Sequence, residues 1–516
     1  MTGVSAALAL LPVLVILVLL IGRRTAADIA GLVGWLIAAA VAWLYFRTPL
    51  YIILKSSLGG FLASLPITIM VGTSIYQVTV MQETGALARV VALIKSVAPR
   101  DRIIQVMIIN VGFGTLLAAM GATPVSILPP IMLGLGYSSF VAIALPALGY
   151  DALCTYALLG IPVVVFANFV GLPVEQVGGY FARFMPVITT CIALGMLWIA
   201  GGFRMLFRGF FPALLAGSTA GAIAIGMNKA RMVTLTGVAA GIGVILVMLL
   251  YLLVFQKPLW DRGALTDADR AAEKRMPLGP ALSPWIILTV CAVLINTPAL
   301  PFFSLVFDKM SMPVGIIPAA PEKLRIFWQA YFWILVSTFL ALPFLKPSRG
   351  SMAACLRKWL KRAPRPMLAS AVFFAIAYII NHSGKGLDWS LTDPGRNMVY
   401  VLATAASGAF HRLYPLIAPF LGLVGGFISG SETSAIAMLT KLHLATSEKI
   451  GAAGIVIAAA SGIGGGLASV ISPAKLQNAA ASIDRIGEEA QVLRTTFVVS
   501  LAITAVCAVM SLVWAF

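Results

Sequence analysis

Fourteen stretches of 18 residues or more run without a charged side chain, from 4–22 near the start to 495–516 at the end. A helix needs about 20 mainly apolar residues to cross the hydrocarbon core of a bilayer. The stretches therefore predict 12 to 14 spans or partial spans. One of them, 103–150, is too long for a single crossing and must hold a helix plus at least one further element. Of the 516 residues, 60% are hydrophobic and 10% are charged, against about 45–50% and about 25% in a soluble domain. Such a chain has too little polar surface to cover itself in water. The expected fold class is all-α, a polytopic membrane protein of about 12–14 transmembrane helices.

The remaining charge is lopsided: 36 Lys and Arg against 18 Asp and Glu, a net +18. The basic residues form short clusters between apolar runs, with no basic face interleaved with aromatics, so nucleic acid is not expected as a partner. Loops facing the cytoplasm explain them under the positive-inside rule. The expected location is the inner (cytoplasmic) cell membrane, among its lipids. Val4–Gly22 has no basic residue before it and Arg23-Arg24 directly after it, the reverse of a secretory signal. It is expected to be a retained helix with its N-terminus outside. Arg89, Lys95, Arg100 and Arg102 form a second inner cluster. The largest comprises Lys346, Arg349, Arg357, Lys358, Lys361, Arg362 and Arg365, with no acid among them. It is a topology signal or, alternatively, a contact for anionic headgroups. The segment 257–275 mixes both signs, and divides a single membrane domain into a first half 1–256, a connecting loop 257–281 and a second half 282–516. The five cysteines form no CxxC pair and the three histidines no metal-ligand spacing. No metal or other cofactor is expected.

Clusters of Gly, Pro and small polar residues are avoided in membrane helices, because the freed backbone groups find no water. Transporters tolerate them where they line a site. This chain has two matching pairs. In the first half, Gly121-Ala-Thr-Pro-Val-Ser126 is followed by Gly149-Tyr-Asp-Ala-Leu-Cys-Thr155 and then Gly160-Ile-Pro162. In the second half, Ser429-Gly-Ser-Glu-Thr-Ser434 is followed by Ser461-Gly-Ile-Gly-Gly-Gly466 and then Ile471-Ser-Pro-Ala-Lys475. From Gly121 to Pro162 is 41 residues, and from Gly430 to Pro473 is 43. The agreement predicts two repeats, inverted relative to each other, with re-entrant hairpins and broken helices meeting near the midplane. Close helix packing through small residues is the alternative for Gly462 and Gly466. Packing does not account for Glu432, since a charged side chain inside an apolar segment costs about 2.5–3.5 kcal/mol on insertion scales. Helix N-termini at such breaks offer free N–H groups to an anion. Tips rich in Ser and Thr can replace the hydration shell of a small carboxylate.

At these residues the chain resembles the L-lactate permease family, bacterial carriers of lactate and glycolate. The matching run is Pro419-Phe-Leu-Gly-Leu-Val-Gly-Gly-Phe-Ile-Ser-Gly-Ser-Glu-Thr-Ser434, similar to the family's PFLGWLG…TGSDTS. Ile471-Ser-Pro473 matches the family's ISP, and Gly112-Phe-Gly114, Gly134-Leu-Gly136 and Gly160-Ile-Pro162 fall in a similar order. The resemblance covers about residues 80–230 and 365–500. It implies a permease for a small monocarboxylate, with two inverted repeats carrying hairpins. The chain departs from the family at three places. Leu117-Ala-Ala-Met-Gly-Ala-Thr-Pro124 lacks the glutamate of the family's EGAAGFGAP-like run. An acid, Asp151, stands where the family tends to have small polar residues. Ala474-Lys475 replaces the Gln-Ser that tends to follow ISP. These departures leave the substrate open between lactate, glycolate and another organic anion.

Candidates for substrate binding are the hydroxyls of Thr123, Ser126, Thr155, Ser431, Thr433, Ser434 and Ser472, together with Lys475. Candidates for coupling are Asp151 and Glu432. Asp151 is either a proton carrier or a structural partner of Lys475, and Lys475 either snorkels to an interface, pairs internally or meets the substrate. His382 and His411 fall at helix ends and read as interfacial; Glu83 reads as solvated. A proton moving with a monoanion carries no net charge and is driven by about 1.4 kcal/mol per pH unit. Na⁺ held by Gly464–Ser472 is the alternative coupling ion. The rival class is a membrane-embedded enzyme, but Gly426-Phe-Ile-Ser-Gly430 is one residue too long for a GxSG nucleophile turn, and no soluble domain is available for a nucleotide. Against a channel stand the two opposed breaks, which suit alternating access. The expectation is a secondary active transporter of a small monocarboxylate by proton symport, not an enzyme, with its oligomeric state left open.

Overall fold

The computed structural model describes residues 3–19, 23, 25–97, 101–151, 153–260, 262–263, 265–297, 300–318, 321–485 and 487–516, without the side chains of Ala27, Tyr150, Asp151, Pro473, Ala474, Ala481, Glu489 and Ala490. Arg24 and Arg100 of the expected basic clusters lie outside these residues. Among the described residues, ten helices are long and apolar enough to cross a membrane, and a bent pair supplies an eleventh. Four shorter apolar helices of 10–17 residues complete the set of partial spans: Gly3–Leu17, Asp28–Leu44, Pro124–Gly134 and Ala330–Leu345. The described strands are one short antiparallel pair, Met312–Val314 with Glu322–Leu324. The long stretch 103–150 holds parts of three helices.

Two cores organise the helices. The larger runs from Ile67 to Cys507 and gathers the broken helices of both halves. The smaller joins Gly3–Leu17 and Ala27–Leu44 to Phe373 and Ile376 of Pro364–His382 and to Met398 of Met398–Phe410.

The matched breaks appear in the backbone as one succession used twice. The eight helices concerned are numbered here in chain order. In the first half α1 (Arg102–Ala119), α2 (Pro124–Gly134), α3 (Ser139–Asp151) and α4 (Ala157–Val170) follow one another. In the second half the same places are taken by α5 (Tyr414–Ser429), α6 (Glu432–Ile450), α7 (Gly454–Leu467) and α8 (Pro473–Ala481). Gly121 after α1 and Gly430 after α5 are both left-handed, at φ +81° and +66°, a conformation in which a Cβ is strained. A 3₁₀ turn joins α3 to α4 (Cys154–Tyr156), and another joins α7 to α8 (Ser469–Ile471).

The packing between the halves is reciprocal: α4 lies against α6 and, in the corresponding places, α8 lies against α2. Likewise α3 packs on the Ser469–Ile471 turn and α7 on the Cys154–Tyr156 turn. The repeats differ in one respect: the α3–α4 pair is bent by 60°, whereas α7 and α8 continue within one 27-residue span.

The glycine run of α7 does serve close packing. A Cβ at Gly464 would collide with the Pro419 carbonyl of α5, and one at Gly422 of α5 with the Ser461 carbonyl of α7. Backbone meets backbone there, as small residues permit between membrane helices. Gly466 has a different neighbour: a Cβ on it would sit 2.7 Å from Glu432 Oε2.

The basic clusters gather on one face, and the acids of the connecting loop dock onto them. Thr266 and Asp269 form a capping box at the start of the Asp267–Arg275 helix. Asp269 Oδ2 accepts from Lys95 Nζ at 2.8 Å, with both side chains about nine-tenths buried. Arg89 meets Glu273 at 3.5 Å, and Lys257 meets Asp101 at 2.5 Å. Burial opposes the charge on Asp269, but hydrogen bonds from Lys95 and Thr266 outweigh it and hold the carboxyl below its ordinary range. On the same face Lys358 pairs with Glu83, which is therefore bonded as well as partly solvated. Arg365 holds Asp28 through two bonds, of 2.8 and 3.0 Å.

Gly464→Ala must push α5 and α7 apart, an overpacking cost of about 1–3 kcal/mol; Gly408→Ala, with nothing within 4 Å of its Cβ, is expected to leave stability near wild type. Thermal unfolding in detergent compares them. Asp269→Ala strands a buried Lys95 and is expected to release the connecting helix to trypsin at Arg270 and Lys274. In the native chain the same release requires pH below the ordinary carboxylate range, because a lowered folded pKa contributes stability above that range and loses it as pH falls. Cleavage no faster in the variant than in wild type refutes the docking.

Candidate functional site

The site grows from the start of α6. Gly430, left-handed, ends α5, and Ser431 is extended at φ −146° and ψ 125°. Its side chain caps α6 by accepting from Ser434 N at 3.4 Å. Ser429 Oγ donates to the carbonyls of Gly425 and Ser431 at 2.8 and 2.9 Å, tying the break together. Glu432 is thereby placed in the first turn, where the helix dipole favours an anion.

Glu432 is only 2% exposed. Its Oε1 accepts from Thr155 Oγ1 at 2.7 Å, a contact that joins the α3–α4 turn of the first half to the α6 terminus of the second. Its Oε2 has no hydrogen-bond partner and occupies the room left by Gly466. A cleft of about 510 Å³ opens beside it. Ser429, Ser431, Glu432 and Thr433 line it from the α5–α6 break, and Ser472 and Lys475 from the start of α8. Lys475 Nζ donates to Ser469 Oγ at 2.6 Å.

From the first half the cleft receives Cys154, Ala157, Leu158 and Pro162. Here the chain makes a left-handed turn: Leu158, Leu159 and Gly160 have φ of +53°, +54° and +75°. Such a conformation costs an L-residue roughly 1–2 kcal/mol, and the regular part of α4 starts only after it. The rest of the wall is apolar at Ile67 and Val71, and is completed by Ala26, Asp28, Arg362, Arg365, Pro366, Ala369 and Ser370, so the cleft reaches the basic face.

The structure thus brings Thr155, Ser431, Glu432, Thr433, Ser472 and Lys475 together. It does not bring the first break to the cleft. Thr123 stands before α2 without capping it, and Ser126 Oγ accepts from Asn478 Nδ2 of α8 at 2.9 Å. Neither lines the cleft. Ser434 is buried behind the α6 terminus, also off the cleft wall. The side chain of Asp151, the last residue of α3, lies outside the described residues. His382 ends its helix in edge contact with Tyr378 and Trp389, and His411 is exposed, as helix-end residues.

Sequence reasoning missed Cys154, Leu158 and the Arg362, Arg365 and Asp28 group. The arginines read as a topology signal or a headgroup contact, not as part of a cleft, and Asp28 lies 337 residues from the arginine it binds. Also missed was His443, wholly buried between Tyr414 Oη and Ser461 Oγ at 2.7 Å each. It ties α5, α6 and α7 into one unit, and its position inside α6 carries no spacing signal.

A model of the L-lactate permease family matches residues 5–516. The chain is 26% identical to an L-lactate permease of Salmonella typhimurium, over 99% of this chain and 96% of that protein. It is 24% identical to the glycolate permease GlcA of Escherichia coli over 100% of this chain and 96% of that protein. An L-lactate permease of Bacillus subtilis is 24% identical over 95% and 92% of the two chains. With the family model spanning all but the first four residues, the protein belongs to the L-lactate permease family.

Proposed function

We propose that this protein is a secondary active transporter of small 2-hydroxymonocarboxylates such as L-lactate or glycolate, working by proton symport and alternating access, and not an enzyme. The observation that carries the reading is the buried Glu432 carboxyl at the α6 terminus, with one oxygen unpartnered, beside a cleft that also holds Lys475 and the hydroxyls of Ser431, Thr433 and Ser472. The names of the curated relatives supply the substrate class.

Lys475 and the hydroxyls replace the water lost by the substrate carboxylate. An ionised Glu432 places a like charge where that carboxylate must bind. Protonation removes the repulsion and turns Oε2 into a donor, so proton and anion bind together and leave together. A cleft reaching Arg362 and Arg365 corresponds to the inward-facing state, with the basic face toward the cytoplasm of the cell and the N-terminus outside. Each half, 1–256 and 282–516, contributes one repeat, and the 257–281 segment stays on the cytoplasmic face. Asp151 is a second candidate for the proton.

Purified protein in liposomes is expected to accumulate labelled L-lactate or glycolate when the outside is acidified, up to about tenfold per pH unit at one proton per anion. Absence of uptake across a panel of 2-hydroxy and simple monocarboxylates would sink the assignment. Glu432→Gln is expected to abolish pH-driven accumulation while keeping substrate counterflow. If counterflow disappears with accumulation in a well-folded protein, Glu432 is not the coupling acid. Lys475→Gln is expected to raise the KM for counterflow about tenfold or more, the loss of one charge-assisted hydrogen bond. An unchanged KM removes Lys475 from the site.

A further inference from the structure

We propose that a second cavity, on the basic face and separate from the cleft, binds the phosphate headgroup of an anionic phospholipid. Arg102, Arg204 and Arg208 line a pocket of about 240 Å³ together with Asp101, Gly201 and Met205. The sequence builds it by breaking a membrane helix. Val174–Arg208 is interrupted at Gly201 and Gly202, and Gly202 takes φ +63°, a conformation that suits glycine. The last turns, 203–208, are thereby re-aimed.

Charge in the pocket is one-sided. Asp101 is already committed: Oδ1 accepts from Ile103 N at 2.9 Å, and Oδ2 takes Lys257 Nζ at 2.5 Å. Among the described residues no carboxylate lies within ion-pair distance of Arg102, Arg204 or Arg208. Arg102 instead stands over the Tyr137 ring at 5.3 Å. Three arginines lining one concavity supply guanidinium donors of the kind that bind phosphate in bidentate fashion.

The surroundings select a lipid over a free anion. Phe203 and Phe207, one turn apart, are 67% and 73% exposed and stack on each other. Phe210 and Phe211 are exposed beside them. On the re-aimed turns the phenylalanines at i and i+4 and the arginines one position later occupy adjacent faces. One face can enter the acyl boundary while the other meets the headgroup, as in interfacial helices. The pocket shares its face with the Lys95–Asp269 and Lys257–Asp101 pairs. On the inward orientation proposed above, that face meets the leaflet rich in anionic lipid.

The test uses the full chain, purified in a nonionic detergent, with phosphatidylglycerol, phosphatidylcholine or inorganic phosphate added. Bound lipid is read by native mass spectrometry. Wild type is expected to retain phosphatidylglycerol over phosphatidylcholine, and the R204Q/R208Q double variant to hold it about tenfold more weakly. F203S/F207S is expected to weaken phosphatidylglycerol too, without changing inorganic phosphate binding. R357Q/K361Q, on the basic helix Arg349–Arg362, is the control and is expected to behave as wild type. Unchanged retention in R204Q/R208Q overturns the site. So does equal loss in the R357Q/K361Q control, which marks diffuse surface charge, or inorganic phosphate binding as tight as the lipid. Should R204Q/R208Q fail to fold, R102Q reads the same pocket from another helix, and its outcomes count in the same way. None of these readouts depends on which carboxylate is carried.

Discussion

A hydrocarbon interior tolerates no backbone group without a hydrogen-bond partner, and the eight helices of the two successions are interrupted at four places. Three of these interruptions are placed against the opposite half. The α3–α4 turn lies on α7, the α7–α8 turn lies on α3, and the Glu432 side chain at the α6 terminus accepts from Thr155. The same arrangement collects helix termini, hydroxyls and one carboxyl in a small volume, so the conditions for stability and for an anion site coincide.

Around that centre the helices divide their work. Close contacts through Gly422, Gly426 and Gly464 lock α5 to α7, and the Tyr414–His443–Ser461 bonds fasten α6 to both. Sliding α5 along α7 would meet carbonyl oxygens at backbone contact, and moving α6 away from them would break the His443 bonds. The smaller core, built on Gly3–Leu17, Ala27–Leu44 and Met398–Phe410, touches this body through both Met398–Phe410 and Pro364–His382, each packed on α6. Of the two, Pro364–His382 also lines the cleft.

Much of this was legible in the sequence because it depends on local chemistry. Gly121 and Gly430 had to leave the helical region, and both do. A break is expected at Ile471-Ser-Pro473, and there the Ser469–Ile471 turn gives way to α8, with Pro473 as its first residue. Glu432 stood out because an acid inside an apolar run must find a partner, and Thr155 is that partner. The failures concern pairings across the fold. Nothing near Lys95 announces that Asp269, 174 residues away, neutralises it. Thr123 and Ser126 have the composition of a binding tip, yet the bend between α3 and α4 turns the first repeat so that its other break meets the cleft. Hydroxyl content indicates where a helix opens; which way the opening faces is set by packing.

The left-handed turn at Leu158–Gly160 has a kinetic meaning. Two leucines held at positive φ store on the order of 2–4 kcal/mol, comparable to the whole gap between two populated conformers of a working protein. On the alternating-access cycle proposed above, the chain passes between two states and neither can be a deep well. On that proposal, a spring wound into the wall of the cleft keeps the state that holds it shallow.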